Sequence, residues 1–209
     1  MERSKQLAPL AGVIFVAGVV TAIVVGQTPD STASGTKVIA YYQHHHTAIT
    51  FAGFALAYSA AAAILYFVSV AGYLRRCGAD LLATTTVVGG AICAGALLLG
   101  AGLLGAATDS PGKMPPDVAR TLNIAQTDVF VPMVLVGVAV ATLSMGVAML
   151  RTKALPKALG IITVVVGVVA FSGIGSWFAF MASGPLTLVR EPPCDLKAAV
   201  FVCFGFGLR

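Results

Sequence analysis

"LLATTTVVGGAICAGALLLGAGLLGAA", residues 81–107, decides the fold. It contains no Asp, Glu, Lys, Arg or His. At about 1.5 Å of rise per residue, the stretch as a helix exceeds the roughly 30 Å hydrocarbon core of a bilayer. It lacks the apolar–polar alternation of a barrel strand. In lipid the backbone has to satisfy its own hydrogen bonds, so a run of this kind reads as a transmembrane helix.

The same pattern recurs along the chain. Hydrophobic residues make up 58% of the 209, charged ones only 10%, against about a quarter in ordinary soluble domains. Mean hydropathy is +0.93. The charges stand in short islands, and the apolar runs between them predict spans over 7–26, 47–74, 81–107, 124–150 and 158–182. The expected fold class is all-α: a polytopic transmembrane helix bundle of about five spans, one domain over residues 1–209, with short external interfacial helices. The first run is longer than a signal-peptide core and no A-x-A-like site follows it, so it reads as an uncleaved span. The apolar run 198–208 is too short to cross, and 183–209 reads as an external or interfacial tail.

Two polar joins carry most of the remaining character. In "QTPDSTASGTKVIAYYQHHH" (27–46), Pro29 and Asp30 end one helix, and Ser31, Thr32 or Ser34 caps the next. That short helix continues or bends into the second span. In "TDSPGKMPPDVARTLNIAQTD" (108–128), Asp117 is the expected N-cap of a polar helix feeding the fourth span, where Pro132 predicts a kink or a lifted first turn. The two joins give a faint echo of one hairpin in the other.

Lys and Arg set the expected orientation. Arg3, Lys5, Arg75, Arg76, Arg151, Lys153 and Lys157 fall on one side, which is then cytoplasmic together with the N-terminus. Lys37, Lys113 and Arg120 lie opposite, diluted by Asp. The net charge of +5 comes from these topology determinants; no basic run exceeds two residues, and no nucleic-acid partner is expected.

The chemistry candidates are few. His44, His45 and His46 are the only histidines. A helix turns about 100° per residue, so three consecutive imidazoles fan apart and cannot converge on one ion. One of them could join Asp30, Asp117, Cys194 or, first among these, Asp128, near the outer interface, as a metal ligand, and the favoured reading is a membrane boundary beside Tyr41 and Tyr42. No histidine inside a span means no pair to hold a haem between helices. No charge sits at the centre of a predicted span, which argues against an active transporter of charged solutes. Motifs such as G-x-S-x-G, a P-loop or H-E-x-x-H are absent, and no catalytic residue or cofactor is expected. Four scattered cysteines form no metal or disulfide framework. The positive signal is small residues at four-residue spacing: Gly18, Ala22 and Gly26; Ala55, Ser59 and Ala63; Ala91 with Gly95; Ala96 with Gly100; Gly137 with Ala141. Such stripes let membrane helices approach closely. Expected partners are the lipid bilayer and a membrane protein or a second copy.

The segments "LAPLAGVIFVAGVV", "DSTASGTKVIAYYQHHH", "ARTLNIAQTDVF" and "TKALPKALGIITVVVG" resemble a family of uncharacterised multi-pass membrane proteins of actinobacteria. That resemblance implies the bacterial cytoplasmic membrane and carries no activity. The tail "REPPCDLKAAVFVCFGFGLR" departs from the apolar last span expected there. The leading expectation for function is a non-enzymatic structural, accessory or envelope-associated protein. The alternative is a facilitative permeation protein for a small neutral or lipidic solute, its path lined by Thr84, Thr85, Thr86, Ser144, Thr163, Ser172 and Ser176.

Overall fold

The structure is a computed structural model that describes residues 3–109, 111–152 and 157–183, with side chains described for 10–109, 111–152 and 157–173. The expected tail and the turn at Pro156 lie outside these residues.

The described chain is helical, with no strand. Helix α1 is Arg3–Val25, α2 Gly35–His44, α3 His46–Arg76 and α4 Asp80–Asp109. After a 3-10 turn come α5 (Pro116–Ile124), a π-helical stretch (Ala125–Phe130), α6 (Val131–Thr152) and α7 (Lys157–Ser183). Among the described residues, three helices are long and apolar enough to cross a membrane: His46–Arg76, Asp80–Asp109 and the continuous Pro116–Thr152. The other two apolar runs also form helices, α1 and α7.

Contacts run in chain order: α1 packs on α3, α3 on α4, α4 on α6 and α6 on α7. Each pair is antiparallel. Gly12 faces Tyr66 while Gly26 faces Ala52; Gly53 faces Ala101 while Gly90 faces Phe67. Gly100 faces Phe130 and Gly89 faces Ala141; Gly146 faces Val164 and Gly167 faces Leu143. No broad contact joins α1 to α6 or α7 among the described residues. The five helices therefore form an open row. Arg75, Arg76, Arg151 and Lys157 gather at one end, and α2 with α5 cap the other.

Backbone proximity holds the row together. A Cβ on Gly89 would stand 2.5 Å from the Ala141 nitrogen, and one on Gly137 would strike the Cys93 backbone. These two contacts interlock α4 and α6. Between α1 and α3, Gly18 lies against Ser59 and Gly26 against Ala52. Most of the predicted stripes are thus consumed by packing inside the row. Ala91 with Gly95 is the exception: both are exposed, and nothing lies within 4 Å of a Cβ placed on Gly95.

Two local expectations need correcting. The N-cap of α5 is Pro115, not Asp117. Pro116 takes the first helical position, where its missing N–H costs nothing, and that moves Asp117 into the first turn. Ser34 is the N-cap residue of α2 but makes no side-chain cap bond; its hydroxyl pairs instead with Thr36 Oγ1 at 3.2 Å. Pro132, expected to kink the fourth span or lift its first turn, stands at the second position of α6. It lacks the N–H that the carbonyl four residues back would accept, and the turns just before it, 125–130, are widened to π geometry.

The α3–α4 turn is tight because Gly78 takes φ +82°. Its N–H donates to the Arg75 carbonyl at 3.0 Å, and the Ala79 N–H donates to the Leu74 carbonyl at 3.1 Å, a glycine stop of the usual helix-ending kind.

Gly137→Leu is expected to cost about 3 kcal/mol or more, because the added volume meets backbone and not a movable side chain. Gly95→Leu is expected to change stability by under about 0.5 kcal/mol. Thermal melting of both variants in one detergent compares them, and equal losses would contradict the assignment of the buried and open faces of α4.

Candidate functional site

The polar residues gather in the cap. Helices α2 and α5 lie side by side with matching ends. Gly35, at the start of α2, touches the backbone of Pro116, at the start of α5. Seven residues on, Tyr42 donates its hydroxyl to Asn123 Oδ1 at 3.3 Å, a pair 81 residues apart in sequence. Gly35 and Pro116 have the same separation, as do Val38 and Ala119, both fully buried. The two helices therefore pair in parallel, each using one face at i, i+3 and i+7. Gly35 is required here: any side chain would collide with the Pro116 carbonyl.

Asn123 is the hinge of this pairing. It is 1% exposed, and its Nδ2 donates to the carbonyls of Pro29 at 3.1 Å and Asp30 at 3.2 Å. It thus ties α5 to the loop that follows α1. In the other direction, Gln43 at the end of α2 reaches Gly112, in the turn that follows α4. Asp30 shapes its own loop: Oδ1 accepts from the Thr32 backbone N–H and hydroxyl, both at 3.0 Å. These bonds hold its carboxyl below the usual range, the backbone bond most strongly. Burial, with Tyr41 beside it, pushes the Tyr42 hydroxyl up to about 12.

A further polar layer lies one turn deeper. Gly53 faces Leu104 of α4, and Phe130 packs on Gly100. Thr50 and Gln126, each about one turn nearer the cap, fall level with the Leu104–Thr108 turn. Thr108 is buried and donates to the Leu104 carbonyl at 2.9 Å. Gln126 is 8% exposed, and among the described residues its Oε1 has no hydrogen-bond partner, nor has Thr50 Oγ1.

The histidines do not join this layer. His44, His45 and His46 are all exposed. His45 is the single residue between α2 and α3, at φ −105° and ψ 20°. Its ring lies 4.4 Å from Tyr41 and 4.9 Å from His44, centroid to centroid. Asp128 is half-buried on the π-helical stretch. Among the described residues no group of three His, Cys, Asp or Glu is placed to hold a metal. No family model, curated protein or solved structure matches the chain. The site has to be read from its own geometry.

That geometry is a lock. It offers a buried phenol–amide pair and two clamped carbonyls, with no nucleophile or general base among them. The hydroxyls proposed to line a solute path are also engaged. Thr84, Thr85 and Thr86 donate to the carbonyls of Asp80, Leu81 and Leu82 at 3.0, 3.0 and 2.8 Å. Ser144, Thr163 and Ser172 bond back to Val140, Leu159 and Val169 in the same way. The side chain of Ser176 lies outside the described residues.

Sequence reading missed Asn123, Gln126 and the Gly35–Pro116 contact. The available signal was "NIAQ" (123–126), two carboxamides three apart at the mouth of an apolar run.

Asn123→Ala is expected to cost more than Tyr42→Phe, about 3 against about 1 kcal/mol, since it strands two carbonyls and a phenol where the other loses one bond. Replacing all three histidines by alanine is expected to cost under about 0.5 kcal/mol. The Tyr42 shift adds a pH signature. A folded-state value raised from 10.0 to about 12 favours the neutral phenol, so its contribution is full below about pH 10 and fades as pH rises through about 12. Melting curves across that range, with Tyr42→Phe lacking the added fall, check it.

Proposed function

We propose that this chain is a multi-pass protein of the bacterial cytoplasmic membrane that acts as a structural or accessory subunit, holding a membrane-protein partner or a second copy of itself. Five spans, α1, α3, α4, α6 with its π-helical lead, and α7, run antiparallel through the bilayer. The basic end faces the cytoplasm together with the N-terminus, and the α2–α5 cap faces outward. The likeness to multi-pass actinobacterial proteins fits this placement.

The observation that carries the reading is the open row. A closed bundle hides its small-residue faces, whereas here α4 keeps Gly95, Gly102 and Gly105 open, with nothing within 4 Å of a Cβ at any of them. On α3, Phe51, Phe54, Tyr58 and Leu65 stand out at i, i+3, i+7 and i+14, each more than half exposed. Lipid covers such faces, and so do other membrane helices, which associate through van der Waals contact at small residues. The permeation reading loses support because the hydroxyls it needs are bonded to their own helices.

Extraction of the tagged chain from its native membrane in mild detergent tests the proposal. A partner or a second copy at fixed stoichiometry is expected, and Gly95→Leu with Gly102→Leu is expected to release it without lowering the melting temperature. Substrate turnover by the isolated chain would contradict the accessory role.

A further inference from the structure

Helices α3 and α4 leave a cleft between them on the half of the row nearer the basic end. Ile64, Phe67 and Val68 line it from α3, and Val87, Gly90 and Ala91 from α4, enclosing about 40 Å³. No polar residue is among the six. Gly90 shapes it: a Cβ there would stand 2.6 Å from the Phe67 ring, so the ring tucks against α4. Ile64 and Val68 form the open rim, 46% and 52% exposed.

The rim leads to charge. At 100° per residue, Ile64, Val68 and Arg75 lie within about 40° of one another on α3. Arg75 is seven residues below Val68, about 10 Å along the axis, which fits within the roughly 15 Å hydrocarbon half of a bilayer. Gly72 stands between them, and nothing lies within 4 Å of a Cβ placed there, so the path down the helix is unobstructed. Arg75 and Arg76 are both exposed. The one carboxylate at this end among the described residues is Asp80, in the first turn of α4, where the helix dipole favours its negative charge.

We propose that the cleft and the basic helix end together bind one anionic phospholipid, with an acyl chain against Ile64, Val68 and Ala91, its phosphate on Arg75, and Arg76, about 100° further round the helix, adding positive charge beside it. A guanidinium matches a phosphate with parallel, charge-assisted hydrogen bonds. Basic groups beside a gap between membrane helices are a recurrent way to hold such headgroups. The cleft seats a short part of a chain, and the arginines select the headgroup by charge. The proposal rests on the membrane-spanning reading and is independent of the accessory role.

Native mass spectrometry of the full chain in neutral detergent tests it, with phosphatidylglycerol and phosphatidylcholine of identical chains as probes and free glycerol phosphate as control. One phosphatidylglycerol is expected to stay bound about tenfold more tightly than phosphatidylcholine, as charge-assisted bonds imply, and free glycerol phosphate is expected not to compete. Arg75→Gln with Arg76→Gln is expected to abolish the preference. Ala91→Phe, which fills the cleft from an exposed position and keeps both charges, is expected to weaken both lipids. Equal retention of the two lipids by the wild type, an unchanged preference in the arginine variant, or full phosphatidylglycerol binding in Ala91→Phe would each overturn the site. A chain that fails to enter bilayers at all would instead remove the membrane-spanning reading.

Discussion

Close approach of helix backbones is the constraint on which the rest depends. Lipid is as apolar as a leucine side chain, so membrane helices gain nothing by hiding leucines from it. What draws α4 to α6 is surface contact, made possible because Gly89 and Gly137 meet Ala141 and Cys93 with no side chain between. Gly18 and Gly26 do the same for α1 against α3. Each crossing fixes its pair in register, and the register of α3 and α6 brings α2 beside α5.

The cap is where polar chemistry supplements that packing. The shared 81-residue separation of Gly35–Pro116 and Tyr42–Asn123 shows that α2 and α5 run parallel in a fixed register. Each short helix leans on the other half: Asn123 holds the carbonyls of Pro29 and Asp30, and Gln43 touches Gly112. Cross-bracing of this kind couples two hairpins whose main joint among the described residues is the α3–α4 face. It also costs little in lipid, because the bonds lie beyond the apolar runs, where a frayed cap can fall back on water.

Much of the architecture was readable from the residues. Uncharged runs of helical length mark the helices within a few residues, since the cost of burying charge in lipid leaves little freedom in placing charges. The stripes at four-residue spacing marked the crossings, apart from Ala91 with Gly95, because spacing gives a face and not what covers it. The cap was much less readable. Tyr42 stood out, yet its partner Asn123 lies in the other hairpin, and no local pattern reports a contact across 81 residues. Asp117 drew attention as an N-cap because of its chemistry; the neighbouring Pro116 decided the helix start through backbone geometry. The histidine triplet drew attention by its composition; it sits at the break between α2 and α3 and not on one regular helix, and all three residues are exposed.

The central claim is an antiparallel row that crosses the bilayer with its cap on one side and its arginines on the other. Labelling of single cysteines by a membrane-impermeant thiol reagent in intact cells tests it most directly, in a chain whose own cysteines have been replaced. Lys113→Cys, at the cap, is predicted to label at once, and Lys157→Cys, at the basic end, only after the membrane is opened. Equal labelling of both positions in intact cells would contradict the account.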